Sequence, residues 1–509
     1  MQLRNKPINM NSNYQRLIEK LKESSRLGGI MGILHWDQEV IMPSGAAESR
    51  SKQMGVLAGI MHEKSTDPEI GKLLDSLNGD DSFNSFEKCN IREARREYEM
   101  ETKVPKNLVM DLAEHSSKGH HVWVKARSEN KFSDFAPILS KLVELKKRWA
   151  EYVSPELQSY DANIDLYERG TTMADITPVF ETLKAELIPL IRDIQESDYK
   201  PDTSFLSGEF SVEKQETLGR KISEDMGFAF DCGRMDVSVH PFCGGSHPTD
   251  VRITTRYRTD NFIESLYAVI HETGHGLYEQ GRMQEGRDLP VSEALTMGIH
   301  ESQSLFWERM IAQSPAFCNR YLPLIAKTFP KTFKDIEWKH LYEAVNVSEP
   351  SFIRVEADEV TYPMHVILRY EIERGLFDGS IDINTLPELW NSKMKEYLGI
   401  EPPTDTLGVL QDTHWSGAAF GYFPSYTLGA IYASQFYQIL QKEKPGLEKE
   451  IESGNLTIIR EWLNQKIHKK GRLLSVSELV NQVTGDSLNP TVFLDYLNTK
   501  YRKIYKLDQ

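Results

Sequence analysis

Residues 261–280 read NFIESLYAVIHETGHGLYEQ, and the fold turns on how that stretch is read. No proline interrupts it. Phe262, Leu266, Val269 and Ile270 fall at helical spacing, which predicts a buried helix. Asp260 stands just before the run as the expected N-cap, because its carboxylate can accept from the first free backbone N–H groups. His271 and His275 are four apart, so both imidazoles share one helix face. Two imidazoles so placed can bind one zinc ion. Glu272 is turned by about 100° from His271, too close to join the ligand stripe but near enough to serve as general base to a water at the metal. Gly274 and Gly276 each cost helix propensity, roughly 1 kcal/mol, which makes sense if another backbone or a ligand packs close.

Two histidines leave a zinc site incomplete, since a third protein ligand is required. A second helix is expected over Val291 to Ala312, with Leu295, Ile299, Leu305 and Phe306 as its apolar residues. It offers Glu293, His300, Glu301 and Glu308, and spacing alone does not choose among them. The run His300-Glu301-Ser302-Gln303-Ser304 is polar inside an otherwise apolar segment, and buried polar groups need partners, of which a metal is one.

Five strings, in order along the chain, resemble the carboxypeptidase Taq family of zinc carboxypeptidases. Residues 250–254 match its D-x-R-x-T, residues 271–275 its H-E-x-x-H and residues 300–303 its H-E-S-Q. Residues 353–358 match I-R-x-x-A-D, and residues 408–415 match G-x-x-Q-D-x-H-W. His35-Trp36-Asp37-Gln38 and the segment from Phe420 to Tyr426 also look like family segments. The resemblance implies Glu301 as the third zinc ligand and Glu272 as catalytic acid/base. It also implies a mainly α, saddle-like gluzincin fold with a deep groove, related in shape to neurolysin and angiotensin-converting enzymes. A homodimer is the usual assembly of the family.

The chemistry of such a reaction directs attention to further residues. A tetrahedral intermediate carries an oxyanion that needs a donor, for which Tyr422 ranks ahead of Tyr426. An enzyme acting at a C-terminus must recognise a carboxylate, which arginine does best through its fork. Arg354 is the leading candidate and Arg252 the second, although Asp250 and Asp358 in the same motifs offer each an internal partner. His414 could donate to the substrate or orient another group. Val251 to Thr255 reads as a short strand whose edge could pair with a substrate backbone.

Composition sets the outer limits. The chain has 509 residues and a net charge of −15, which argues against nucleic-acid binding. No apolar run approaches the ~20 residues needed to span a bilayer, and the polar stretch Met1 to Arg16 lacks the apolar core of a secretory leader. Cys89, Cys232, Cys243 and Cys318 are scattered and read as free thiols in a reducing compartment, hence the cytoplasm. No linker or repeat divides the chain, so one domain over 1–509 is expected. Its N-terminal helices, to about residue 230, would roof the groove, and the catalytic half would follow from 231. Helices are expected at 12–30, 47–64, 84–118, 133–153, 173–196 and 212–226, then at 360–376, 386–398, 425–441 and 445–453. A small β patch is expected at 235–257, with Cys243 to Pro248 as a loop.

The functional expectation is a zinc-dependent metallocarboxypeptidase of broad specificity acting on peptides with a free C-terminus, with cobalt as a possible substitute metal. An oligopeptidase cutting internal bonds on the same scaffold is the alternative. A peptide-binding protein without catalysis is a third reading, which the intact Glu272 argues against.

Overall fold

The computed structural model describes residues 12–508, so the reading of a leader within Met1 to Arg16 falls mostly outside the described residues. The chain is mainly helical with one small sheet. Long helices open it, Ser12–Val40 and Ala47–Ser65, packed as a hairpin. The expected helix over 84–118 is two helices, Ser85–Lys103 and Lys106–Ser128. Pro105 explains the break, since proline pushes the residue before it out of the α region, and Val104 is extended at ψ 126°. Helices the periodicity did not mark fill the C-terminal end: Thr457–Lys466, Val476–Thr484 and Pro490–Ile504.

One large apolar cluster runs from Trp123 to Tyr505, taking in the helices of 132–226 together with those that carry the sequence motifs. A smaller cluster joins Tyr14, Leu17, Leu73, Leu74 and Phe83 to Leu289 and Val291. Residues 14–94 thus lean on the loop that follows the His271 helix, while residues 123–226 share its core.

The sheet has the order β1-β3-β2, with β1 at Gly233–Val237, β2 at Cys243–His247 and β3 at Asp250–Thr255. β1 is parallel to β3 and β2 antiparallel. Two expectations fail here. Cys243 to His247 is a strand rather than a loop; its glycines hid it, and Gly245 at φ +132° supplies the irregularity in register. β3 is the central strand, bonded on both sides, so it has no edge to offer a substrate backbone. The outer strand β2 is crossed tightly by the first helix, where a Cβ on Gly32 would lie 2.4 Å from the Gly245 carbonyl oxygen.

Candidate metal centre and its surroundings

The decisive stretch forms the helix Phe262–Gln280, with Phe262, Leu266, Val269, Ile270 and Leu277 buried. Burying each such side chain contributes about 1.5–3 kcal/mol. The N-cap is Asn261, not Asp260: the Asn261 side-chain oxygen accepts from Ile263 N at 3.0 Å. Asp260 is one residue too early and instead accepts from the Arg258 guanidinium. The two glycines are explained by close approach. A Cβ on Gly274 would meet the Gln303 carbonyl oxygen and Ser304 Cα at 2.7 Å, and one on Gly276 would strike the Phe228 ring at 2.6 Å. Gly274 therefore lets the next helix lie backbone to backbone against the His271 helix.

That next helix begins at Met297, capped by Thr296, rather than at Val291. Pro290–Ser292 is a short 3-10 turn and Glu293 is extended, its carboxylate taken by Arg472 at 2.7 Å. The helix runs from Met297 to Leu305 and continues as a π-helical stretch, Phe306–Ala312. Such widened turns frequently accompany functional sites. Here the stretch brings Glu308 Oε2 to 2.6 Å from His271 Nδ1.

Ligand atoms of His271, His275 and Glu301 lie within 4.8 Å of one another. Glu301 Oε2 is 3.7 Å from His271 Nε2 and 3.3 Å from His275 Nε2. Each imidazole offers Nε2 inward and spends Nδ1 outward: His271 on Glu308, His275 on His300 Nδ1 at 2.6 Å. His300 Nε2 in turn donates to Glu279 Oε1 at 2.9 Å. Outer partners of this kind fix the tautomer and ring orientation of metal-ligating histidines. Two nitrogens and one carboxylate oxygen, each already aimed, are a donor set that fits a divalent cation with one position left open. Glu272, alongside them, is buried, and burial pushes its carboxyl up to about 7. Glu308, Glu279 and His300 were not assigned as partners from the sequence. Glu279 carried a signal, since it lies four residues after His275 on the same face.

The candidate substrate residues gather on the other side of Glu301. The helix Pro424–Glu443 touches the Glu301 side chain at Gly429, where a Cβ would approach Glu301 Cβ and Cγ at 2.9 Å. Tyr426 is one turn earlier on that helix. The Tyr422 and Tyr426 rings are 5.3 Å apart. Burial and the Glu301 carboxylate push the Tyr422 hydroxyl up to about 12, so it is protonated and able to donate at neutral pH. The His414 ring lies tilted against Tyr422 and Phe423, with ring centroids 5.3 Å and 4.6 Å away. Burial pushes His414 down to about 4, leaving a neutral imidazole.

Arg354 is buried, 4.8 Å over the Tyr426 ring. Asp358, the internal partner its motif offers, is occupied elsewhere, accepting from Val360 N, Thr361 and Glu349 N. Arg354 instead donates through Nε and Nη2 to Asp412 Oδ1, at 3.0 and 2.8 Å, and through Nη1 to the Tyr362 hydroxyl at 2.7 Å. Arg369, fully enclosed, takes the other Asp412 oxygen, with Nε at 2.6 Å. Arg252 lies apart from this group. Its fork is spent on Asp250, at 2.7 and 2.9 Å, and it sits 4.7 Å over Trp36 of the His35-Trp36-Asp37-Gln38 segment.

The profile of the Carboxypeptidase Taq (M32) metallopeptidase family matches residues 16–501. The chain belongs to this family. As an M32 carboxypeptidase it is 38% identical to Carboxypeptidase 1 of Bacillus subtilis over 494 residues, 97% of this chain and 99% of that one. It is 37% identical to Thermostable carboxypeptidase 1 of Thermus thermophilus, again over 97% and 99%. The crystal structure of the M32 carboxypeptidase from Deinococcus radiodurans superposes with a TM-score of 0.95 at 34% identity, covering 97% of this chain and all of that one. A Trypanosoma cruzi metallocarboxypeptidase 1 structure gives 0.91 at 36% identity over 96% and 99%. The protein is thus a metallocarboxypeptidase that hydrolyses peptides with the help of a divalent metal. Among the described residues no helix is long and apolar enough to cross a membrane, and all four cysteines are free.

Proposed function

We propose that this M32 enzyme is zinc-dependent and releases single C-terminal residues from peptides of varied sequence. The observation that carries the reading is a pairing of opposite charge: an acidic, imidazole-lined metal centre faces, across Tyr362, Tyr422 and Tyr426, two guanidiniums sharing one carboxylate. His271, His275 and Glu301 hold the ion, and cobalt fits the same donors. Zinc, when bound, polarises the scissile carbonyl and draws the pKa of a water toward ~7. Glu272 takes the proton of the attacking water and passes it to the leaving amine, and its burial raises the carboxyl's affinity for that proton. Tyr422 donates to the developing oxyanion, with Tyr426 beside it as second donor.

Arg354 and His414 receive the substrate's tail carboxylate. Two arginines against one Asp412 leave a net positive charge that a further carboxylate satisfies. Arg252 is the second candidate for the tail, and to serve it must share its fork with Asp250. The resemblance supports a homodimer and a single domain whose N-terminal helices cover the groove, and the free thiols support the cytoplasm. An endopeptidase would leave the positive pocket without an anion to meet. Peptides with free and amidated C-termini separate the readings. Cleavage of the free form alone, lost on chelation and restored by zinc, is expected; equal cleavage of both would defeat the exopeptidase assignment.

A further inference from the structure

His414 and Tyr422 stand at the two ends of one loop, and something must hold those ends together. The residue that does so is Glu373, on the helix Tyr362–Asp378, with no solvent exposure. Its Oε1 accepts from Trp415 Nε1 at 2.7 Å. Its Oε2 accepts from Gly421 N at 2.8 Å and from the Tyr160 hydroxyl at 2.7 Å. Trp415 directly follows His414, and Gly421 directly precedes Tyr422. One carboxylate therefore closes the neck of the loop. Among the described residues no cation bonds it, so its burial is costly unless all its lone pairs are used.

The chemistry of the donors calls for a carboxyl group here. An indole N–H and a backbone N–H can only donate, so both oxygens must accept. An amide at this position would set an NH2 against one of them. Gly421 at φ +81° is packed against Asn163, where a Cβ would come within 2.6 Å of the backbone carbon, so the neck has no room on that side.

We propose that Glu373 is a positioning residue for the carboxypeptidase reaction, holding His414 and Tyr422 at their working separation by tying both ends of the 414–422 loop. The inference rests on the roles of His414 and Tyr422 proposed above. Tyr160 supplies an internal control, since Tyr160→Phe removes a donor from the same carboxylate while leaving both loop ends tied.

The experiment measures kcat, KM, bound zinc and Tm of the zinc-loaded enzyme on a blocked dipeptide. Glu373→Gln is expected to lower kcat/KM by about 10- to 100-fold, the scale of a small misplacement of reacting groups. The loss should divide between kcat, through Tyr422, and KM, through His414, with zinc content unchanged. Tyr160→Phe should stay within about twofold at any comparable loss of Tm. If Glu373→Gln fails to fold, Trp415→Phe, which unties one end, is expected to show the same split. His414→Ala and Tyr422→Phe complete the set. If they cripple turnover while Glu373→Gln, or Trp415→Phe in its place, behaves like Tyr160→Phe, the positioning role is overturned and the site reading stands. If His414→Ala and Tyr422→Phe are as active as the unaltered enzyme, both fall.

Discussion

The metal side and the tail side of this site are both buried, yet they are balanced differently. On the metal side, Glu272, Glu279, Glu301 and Glu308 surround His271, His275 and His300, and each ligand imidazole has its outer nitrogen engaged while its inner nitrogen faces Glu301. On the tail side, Arg354 and Arg369 converge on the single Asp412, and buried nitrogens of His365 and His414 have no partner. Unsatisfied buried polar atoms are rare in folded proteins and call for an explanation. The first side has an excess of negative charge and aimed lone pairs, as a cation requires. The second has an excess of positive charge, as a carboxylate requires. Between them, Tyr362 bonds Arg354, and its ring packs on Tyr426, which packs on Tyr422 beside Glu301.

The comparison is most severely tested at Glu272. Glu272→Gln keeps shape and removes the base, so kcat should fall by about 10²–10⁴-fold with metal content unchanged. Undiminished turnover would end the proposed mechanism while leaving the metal centre intact. Next in size is Arg354→Met on the tail side. Removing one partner of a buried, hydrogen-bonded charge pair costs roughly 2–5 kcal/mol in recognition. The kcat/KM for free-acid peptides should drop by about 10²-fold or more and any preference over amidated peptides should vanish. If the preference survives, Arg354 is only Asp412's structural partner. Smaller again is Glu308→Ala, which frees His271 Nδ1. Chelator competition should report metal affinity about 10- to 100-fold weaker, with full activity regained at saturating zinc; unchanged affinity would mean Glu308 does not orient the ligand.

The two sides also differed in how far the sequence revealed them. The metal side is the more local: His271 and His275 share one turn, as their spacing implies, whereas Glu301 on the following helix is implied by the family resemblance and not by spacing. The ambiguity among Glu293, His300, Glu301 and Glu308 came from treating 291–312 as one helix, when Thr296 starts the helix late and a π-helical stretch turns Glu308 toward His271. The tail side is assembled from residues 354, 362, 369 and 412–426, whose closeness depends on tertiary packing. The alternative of an Arg354–Asp358 pair does not form, because Asp358 is consumed in capping the turn into the next helix, while Asp412 arrives from a segment 58 residues on from Arg354. The β strands failed in a third way. Glycines in Cys243–His247 suppress the strand signal, and nothing in a lone strand's sequence tells whether it lies at an edge or in the middle.

Glu168 sits where the two sides meet, and it gives the smallest and most indirect test. Its carboxylate accepts from Gly298 N at the start of the Glu301 helix, and the Ser425 hydroxyl lies beside it at the start of the Tyr426 helix. It is fully enclosed, and burial pushes its carboxyl up to about 7 from an ordinary 4.5. A carboxyl raised in the folded state contributes stability that is fully present below about 4.5 and is lost as pH rises through about 7. Glu168→Gln cannot titrate and lacks this slope. Other groups titrate alike in both proteins and cancel in the difference. From pH 5 to pH 8 the variant should therefore gain on the unaltered protein by roughly 3 kcal/mol at most, read as a few degrees of relative Tm in chelated samples. Parallel melting curves across that range would mean that Glu168 has found a counter-charge or a route to water. The seam between the acidic and basic sides would then be less dry than its burial implies, and the sharp separation of the two charges would weaken with it.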